Sequence, residues 1–184
     1  MIVHNRIGCC QSGRLAGMGK DLLRLDGQLC FAMYAACRAM DALYRRELAA
    51  LGLTYPQYLV MLELWSRAAD AGPNGEAAAT VKQLGRALRL DSGTLSPLLK
   101  RLEAAGLVRR ERDRHDERSV RVALTGQGHA LRARAERVPA RAHAASGLDA
   151  AEAEHLRRML GRVTASLDLA VADADATTPA GPAA

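Results

Sequence analysis

Aromatic side chains are scarce: four tyrosines, one tryptophan and one phenylalanine make up 3% of 184 residues. The chain is 49% hydrophobic all the same, so much of its apolar content is alanine, whose helices form readily but bury little area each. That argues against a large private core and for an all-helical, intertwined oligomer. Long apolar runs are also missing. The longest, Leu29–Cys37, has nine residues, too few for a membrane-spanning helix, and no membrane partner is expected. The opening residues, "MIVHNRIGCC", lack the apolar core and small-residue cleavage site of a secretory signal, so a cytoplasmic protein is expected. The four cysteines follow no framework spacing and read as free thiols. His4, His115, His129, His143 and His155 form no metal-ligand cluster, and neither a metal nor a cofactor is expected. No internal repeat is visible.

What is present is positive charge and helical periodicity. The formal charge is +6 and the pI about 9.5, which favours an anionic partner. Residues 1–20, with Gly8, Gly13, Gly17 and Gly19, read as a flexible tail. A long helical pattern runs from Leu22 through Gln28 to about Leu51 and stops at Gly52. "LTYPQYLVMLELW" starts a second helix, with Thr54 as N-cap and Pro56 in the first turn. Ser66–Ala79 reads as a loop by its Gly, Pro and Asn content.

Thr80–Leu90 is a short amphipathic helix with Val81, Leu84 and Leu88 on one side. Asp91–Ser92 caps the next, "GTLSPLLKRLEAAG", which turns Leu95, Leu98, Leu99 and Leu102 inward, carries Pro97 in its first turns and ends at Gly106. In "LVRRERDRHDERSVRVAL" a charged hairpin leads into a strand that alternates Val120, Val122 and Leu124 with polar residues. Thr125 caps a further helix. A last one carries Leu156, Leu160, Val163 and Leu167 at helical spacing, before a disordered tail over 172–184.

Two short helices, a tight turn between them and a charged hairpin follow the order of a winged helix-turn-helix. Thr80–Arg132 holds twelve Lys and Arg against six Asp and Glu, so the whole formal excess of +6 lies there and the rest of the chain is neutral. Basic charge confined to the reading unit points to double-stranded DNA more strongly than a basic average does. Ser92, Thr94 and Ser96, early in the second helix, are placed to reach phosphates or base edges, and Lys100 and Arg101 to pair with the backbone. In the hairpin, Arg114 and Arg118 are candidates for the minor groove, with Asp116 fixing the Arg118 fork.

Over about Leu22–Leu169 the sequence resembles the MarR family of dimeric regulators. The motif that carries the resemblance is "LDSGTLSPLLKRLEAAGLVRRERDRHDERSVRVALTGQG", with "DER" at Asp116–Arg118 in the wing. Together, "QLCFAMYAACR", "LTYPQYLVMLELW" and "LDSGTLSPLLKR" are similar to the organic hydroperoxide resistance regulators within it. The resemblance implies a mainly α protein: a winged-helix domain over 21–171, with N- and C-terminal dimerisation helices and a DNA-binding lobe at about 54–124. It implies a homodimeric repressor that organic hydroperoxides induce to release its operator by oxidising Cys30, whose phenolic partners are Tyr44 and Tyr55.

The residues bear on that implication directly. Cys30, Tyr34, Cys37, Asp41 and Tyr44 are spaced 4, 3, 4, 3 and line one helix face. Tyr34 can approach Cys30 within its own chain. Tyr44, 14 residues on, is about 21 Å away along the helix and must come from a second, antiparallel subunit. Cys37 is about 10.5 Å along the helix from Cys30, too far for a disulfide, and reads as a packing residue. No cysteine follows Cys37, and within the family resemblance this implies the single-cysteine scheme, in which a small cellular thiol caps oxidised Cys30; Cys9 and Cys10 stay open as a flexible resolving pair. Phe31, Met33, Met40, Leu59 and Leu62 favour apolar peroxides. Two alternatives stay open: a MarR-type repressor gated by a small phenolic ligand, with Cys30 a packing residue, and a thiol peroxidase, for which neither a second matched cysteine nor a close cation is visible.

Overall fold

The computed structural model describes residues 23–72, 78–113, 116 and 119–177; the tail expected over 1–20, together with Arg114, His115 and Arg118, lies outside them. The described residues fall into two compact units, one ending at Val138 and one beginning at Pro139.

In the first unit, a short 3-10 turn at Leu25–Gly27 precedes α1, Leu29–Leu48, so the helix begins later than the periodicity from Leu22 suggests. A second 3-10 turn carries it to Gly52. Only Leu48 of α1 is buried. Helix α2, Tyr55–Ala71, starts as expected: Gln57 Oε1 accepts from the Thr54 N–H at 2.8 Å, and Pro56 sits in the first turn.

The loop expected over Ser66–Ala79 is wrong at both its ends, and its residues 73–77 lie outside the described residues. α2 continues through "RAADA" to Ala71, and Ala78–Thr80 forms β1. Helix-forming alanines carry α2 onward, while β1 is a strand only through its pairing with β3.

Thr80 caps α3, Val81–Leu88, by accepting from the Gln83 N–H at 3.1 Å. Asp91 caps α4, Ser92–Ala104. Between them Arg89 takes a left-handed φ of 56°, and Gly85 passes so close to the Leu90 carbonyl that a Cβ there would stand 2.8 Å from its oxygen. Pro97 lies in the second turn of α4, inside the helix, so a ladder bond is lost there.

Strands β2, Val108–Arg112, and β3, Val120–Leu124, form the wing, and the sheet order is β1-β3-β2 with both pairings antiparallel. Helix α5, Gly126–Ala135, begins at the expected Thr125 cap. The core joins Leu48 to Tyr58, Val60, Met61 and Leu64 of α2, to Leu84 of α3, to Leu95, Leu99 and Leu102 of α4 and to Val108, Val122 and Leu124 of the wing.

Helix α6, Arg137–Ser146, which the sequence did not separate from α5, runs from the first unit into the second. In the second unit α7, Ala150–Thr177, is capped by Asp149, whose Oδ1 accepts from the Ala151 and Glu152 N–H groups at 2.8 and 2.9 Å. α7 passes the expected domain end at 171. Its Leu156, Leu160 and Leu167 are exposed within the chain. No described helix is long and apolar enough to cross a membrane.

Candidate functional site

Two regions of the first unit carry the candidate residues. One is the exposed edge formed by α3, α4 and the wing. Ser92, Thr94, Lys100 and Arg101 are exposed on α4 and Ser96 is half-buried. The α4 cap engages two of the hydroxyls: Thr94 gives its N–H and its O–H to the Asp91 carboxylate, both at 2.8 Å, and Ser96 Oγ donates to the Ser92 carbonyl at 2.7 Å. The two Thr94 bonds hold the Asp91 carboxyl below its ordinary range. A phosphate contact from Thr94 or Ser96 therefore exchanges a local bond rather than filling an open one. Asp116 is exposed, and its carbonyl accepts from the Ser119 N–H at 2.8 Å within the hairpin; its expected partner Arg118, like Arg114, is outside the described residues.

Sequence reasoning missed other cations here. Lys82, Arg86 and Arg89 of the α3 end, with Ser92 and an apolar floor of Val81, Leu90 and Leu95, line a cleft of about 440 Å³. The i, i+4 spacing of Lys82 and Arg86 was the available signal. Glu103 ties the wing to α4: it accepts from the Arg110 backbone N–H at 3.1 Å and from its Nε at 2.7 Å, which keeps the Glu103 carboxyl low.

The other region is the stripe on α1. Cys30, at the second position of the helix, is exposed, and its Sγ approaches Gln28 Oε1 at 3.9 Å. Tyr34 is 60% exposed, and its ring stands 6.4 Å from that of Phe31. Cys37, expected to pack, is exposed as well. Tyr44 lies in the same unbroken helix, so Cys30 and Tyr44 of one chain are held apart by fourteen residues of helix.

Tyr44 meets Tyr55 of α2 with ring centroids 4.4 Å apart, and Tyr58 at 6.0 Å. Tyr55 and Tyr58 thus both neighbour Tyr44; Tyr58 was not foreseen. All three phenols are held protonated by burial, Tyr58 most of all, its hydroxyl pushed up to about 12. Nearby Tyr44, Asp41 and Cys37 add to the effect of burial at Tyr55. At neutral pH the cluster is a set of hydrogen-bond donors. Among the described residues no group of three or more His, Cys, Asp or Glu is arranged to hold a metal.

Comparison with known proteins agrees with this architecture. The family model described as transcriptional regulator SarA/Rot matches residues 42–134. The HTH-type transcriptional regulator TtmR of Methylorubrum extorquens is 46% identical over 144 residues, 78% of this chain and 68% of that protein. The organic hydroperoxide resistance transcriptional regulator of Bacillus subtilis is 44% identical over 119 residues, 65% of this chain and 75% of that protein. Among solved structures, reduced AbfR bound to DNA, a Staphylococcus epidermidis protein, superposes with a TM-score of 0.66 at 32% identity, over 80% of this chain and 95% of that one. A capped helix-turn-helix, a basic wing and these relatives lead to one conclusion: the chain belongs to the SarA/Rot family of DNA-binding transcriptional regulators, with a MarR-like winged-helix fold.

Proposed function

We propose that this regulator is a homodimeric repressor that senses organic hydroperoxides through Cys30 and leaves its operator once that thiol is oxidised. The observation that carries the reading is the α1 stripe: an exposed cysteine at one end of the helix and, fourteen residues on, a pair of protonated phenols, Tyr44 and Tyr55. One chain cannot join them, because the helix between them rises about 21 Å. Two copies can, if their α1 helices pack antiparallel so that each copy's phenols meet the other's cysteine. A 20-residue helix with one buried residue has the surface for that pairing, including exposed Leu29, Phe31, Tyr34 and Met40. The likeness to a regulator of organic hydroperoxide resistance supports the choice of inducer.

In the chemistry, a Cys30 thiolate attacks the terminal peroxide oxygen, forming a sulfenic acid and releasing an alcohol. A small cellular thiol then condenses with the sulfenic acid to a mixed disulfide and water. A hydrogen bond to a charged group contributes roughly 1.5–3 kcal/mol, so two lost phenol bonds shift the balance by about 3–6 kcal/mol. Moving a two-state equilibrium from mostly bound to mostly released takes about 5.5 kcal/mol. That requirement lies at the upper end of what the two bonds supply.

The test is intact-protein and peptide mass spectrometry of protein treated with cumene hydroperoxide and a thiol, run beside a DNA-retardation assay. The adduct is expected on Cys30, rising in step with DNA release. Release with Cys30 unmodified overturns the reading.

A further inference from the structure

Tyr58 is the one described residue with a fully buried side-chain polar atom that lacks a hydrogen bond. The residue is 1% exposed. Native structures keep few such orphans, because a buried hydroxyl without a partner burdens the folded state. Neither aromatic flank relieves it in this structure. On one side Trp65, 6.3 Å away edge-on, offers only an N–H, and that N–H is committed to the Gly128 carbonyl at 2.9 Å. On the other side stands Tyr44, flanked in turn by Tyr55. The ring that carries the orphan thus neighbours the phenol that the proposed function assigns to the sensing sulfur, 6.0 Å between centroids.

We propose that Tyr58 is a positioning residue of the sensor: its hydroxyl donates to the Tyr44 phenol oxygen and so turns the Tyr44 O–H outward, toward the Cys30 thiolate of a second copy. This rests on the reading that Tyr44 meets Cys30 across a dimer. A phenol oxygen that gives its proton to a thiolate keeps lone pairs to accept another bond. Donation into it polarises its O–H and strengthens the outer bond. Tyr58 then gains its partner only when the dimer closes around the reduced sulfur, and loses it when oxidation displaces Tyr44. The residue itself never touches the peroxide.

The experiment uses the full-length dimer with Cys9, Cys10 and Cys37 replaced by serine, so that Cys30 is the sole thiol, and follows its alkylation by iodoacetamide against pH. Tyr58→Phe keeps the ring and removes only the hydroxyl. It is expected to move the alkylation profile to higher pH by roughly 0.3–1 unit and to slow the reaction at pH 7 roughly two- to threefold. In a Tyr44→Phe background, Tyr58→Phe is expected to change nothing further, because it acts through Tyr44. If Tyr44→Phe shifts the profile and Tyr58→Phe does not, Tyr58 is only a core residue and this proposal falls while the proposed function stands. If Tyr44→Phe shifts nothing either, both fall.

Discussion

The wing rests on a close approach that a single methyl group should break. Gly128, buried in the first turn of α5, lies so close to the Leu107 backbone that a Cβ built on it falls well inside contact distance of the Leu107 carbonyl oxygen and 3.2 Å from Leu124 Cδ2. That carbonyl also accepts from the Thr125 N–H at 3.1 Å and the Thr125 hydroxyl at 3.2 Å, while Gly128's own carbonyl accepts from Trp65. Gly128→Ala therefore forces backbone away from backbone where these three hydrogen bonds already converge. Overpacking of this kind costs about 1–3 kcal/mol, and one orphaned buried group adds about 1–3 kcal/mol. The better helix propensity of alanine returns about 1 kcal/mol. The net expectation is a loss of about 1–5 kcal/mol, or roughly 0.5–2.5 M in urea midpoint for an m-value near 2 kcal/mol/M. The control is Gly126→Ala, two residues earlier in the same helix, where nothing stands within 4 Å of the added carbon; there the midpoint should hold or rise slightly. Both are measured by urea unfolding at one protein concentration. If Gly128→Ala unfolds at the same urea concentration as Gly126→Ala, the close approach between α5 and the base of the wing is wrong.

Other expectations follow from the same geometry. Lys100→Ala and Arg101→Ala should each flatten the log–log salt dependence of DNA affinity by about 0.9 for every phosphate left without its cation, as measured by fluorescence anisotropy across a salt series. Tyr58 is neutral in the folded protein up to about pH 12, against an ordinary value of 10.0. Its contribution is thus complete below pH 10 and lost as pH rises from there towards 12, so Tyr58→Phe should blunt the fall in thermal stability over that window. If alkaline unfolding is identical in the two proteins, the burial assigned to that hydroxyl is contradicted. Antiparallel pairing that sets Cys30 opposite Tyr44 also sets Cys37, midway between them, opposite its own copy. A chain with Cys37 as its sole cysteine should then form a dimer on a denaturing gel after diamide treatment, reversible by dithiothreitol; monomer alone would refute that register.

Capping chemistry made much of the fold legible. Thr54, Asp91 and Thr125 each announce a helix start, and each does cap one in the structure. Apolar periodicity also placed Leu84, Leu95, Leu99 and Leu102 inward, where they are buried. What failed is what only tertiary contact decides. Ala78–Thr80 carries no strand signal and becomes β1 by pairing with β3, and the Gly, Pro and Asn that follow α2 hid the helical turn before them. At the candidate site the stripe from Cys30 to Tyr44 is visible as spacing, and a family motif brought in Tyr55. Tyr58 was not legible, because a tyrosine among Leu59, Val60 and Met61 looks like ordinary core until its hydroxyl is found without a partner. The Lys82 and Arg86 cations were passed over because α3 was read for its apolar side alone.

The redox switch itself is tested by comparing wild type with Cys30→Ser, both reduced, on a duplex selected by the reduced protein, before and after cumene hydroperoxide with a small thiol. Both are expected to bind the duplex before oxidation. Oxidation should then cost wild type roughly a hundredfold or more in affinity, matching a shift of about 3 kcal/mol or above, and leave the variant unchanged. Release of the variant to the same extent as wild type would place the sensor elsewhere and refute the switch at Cys30.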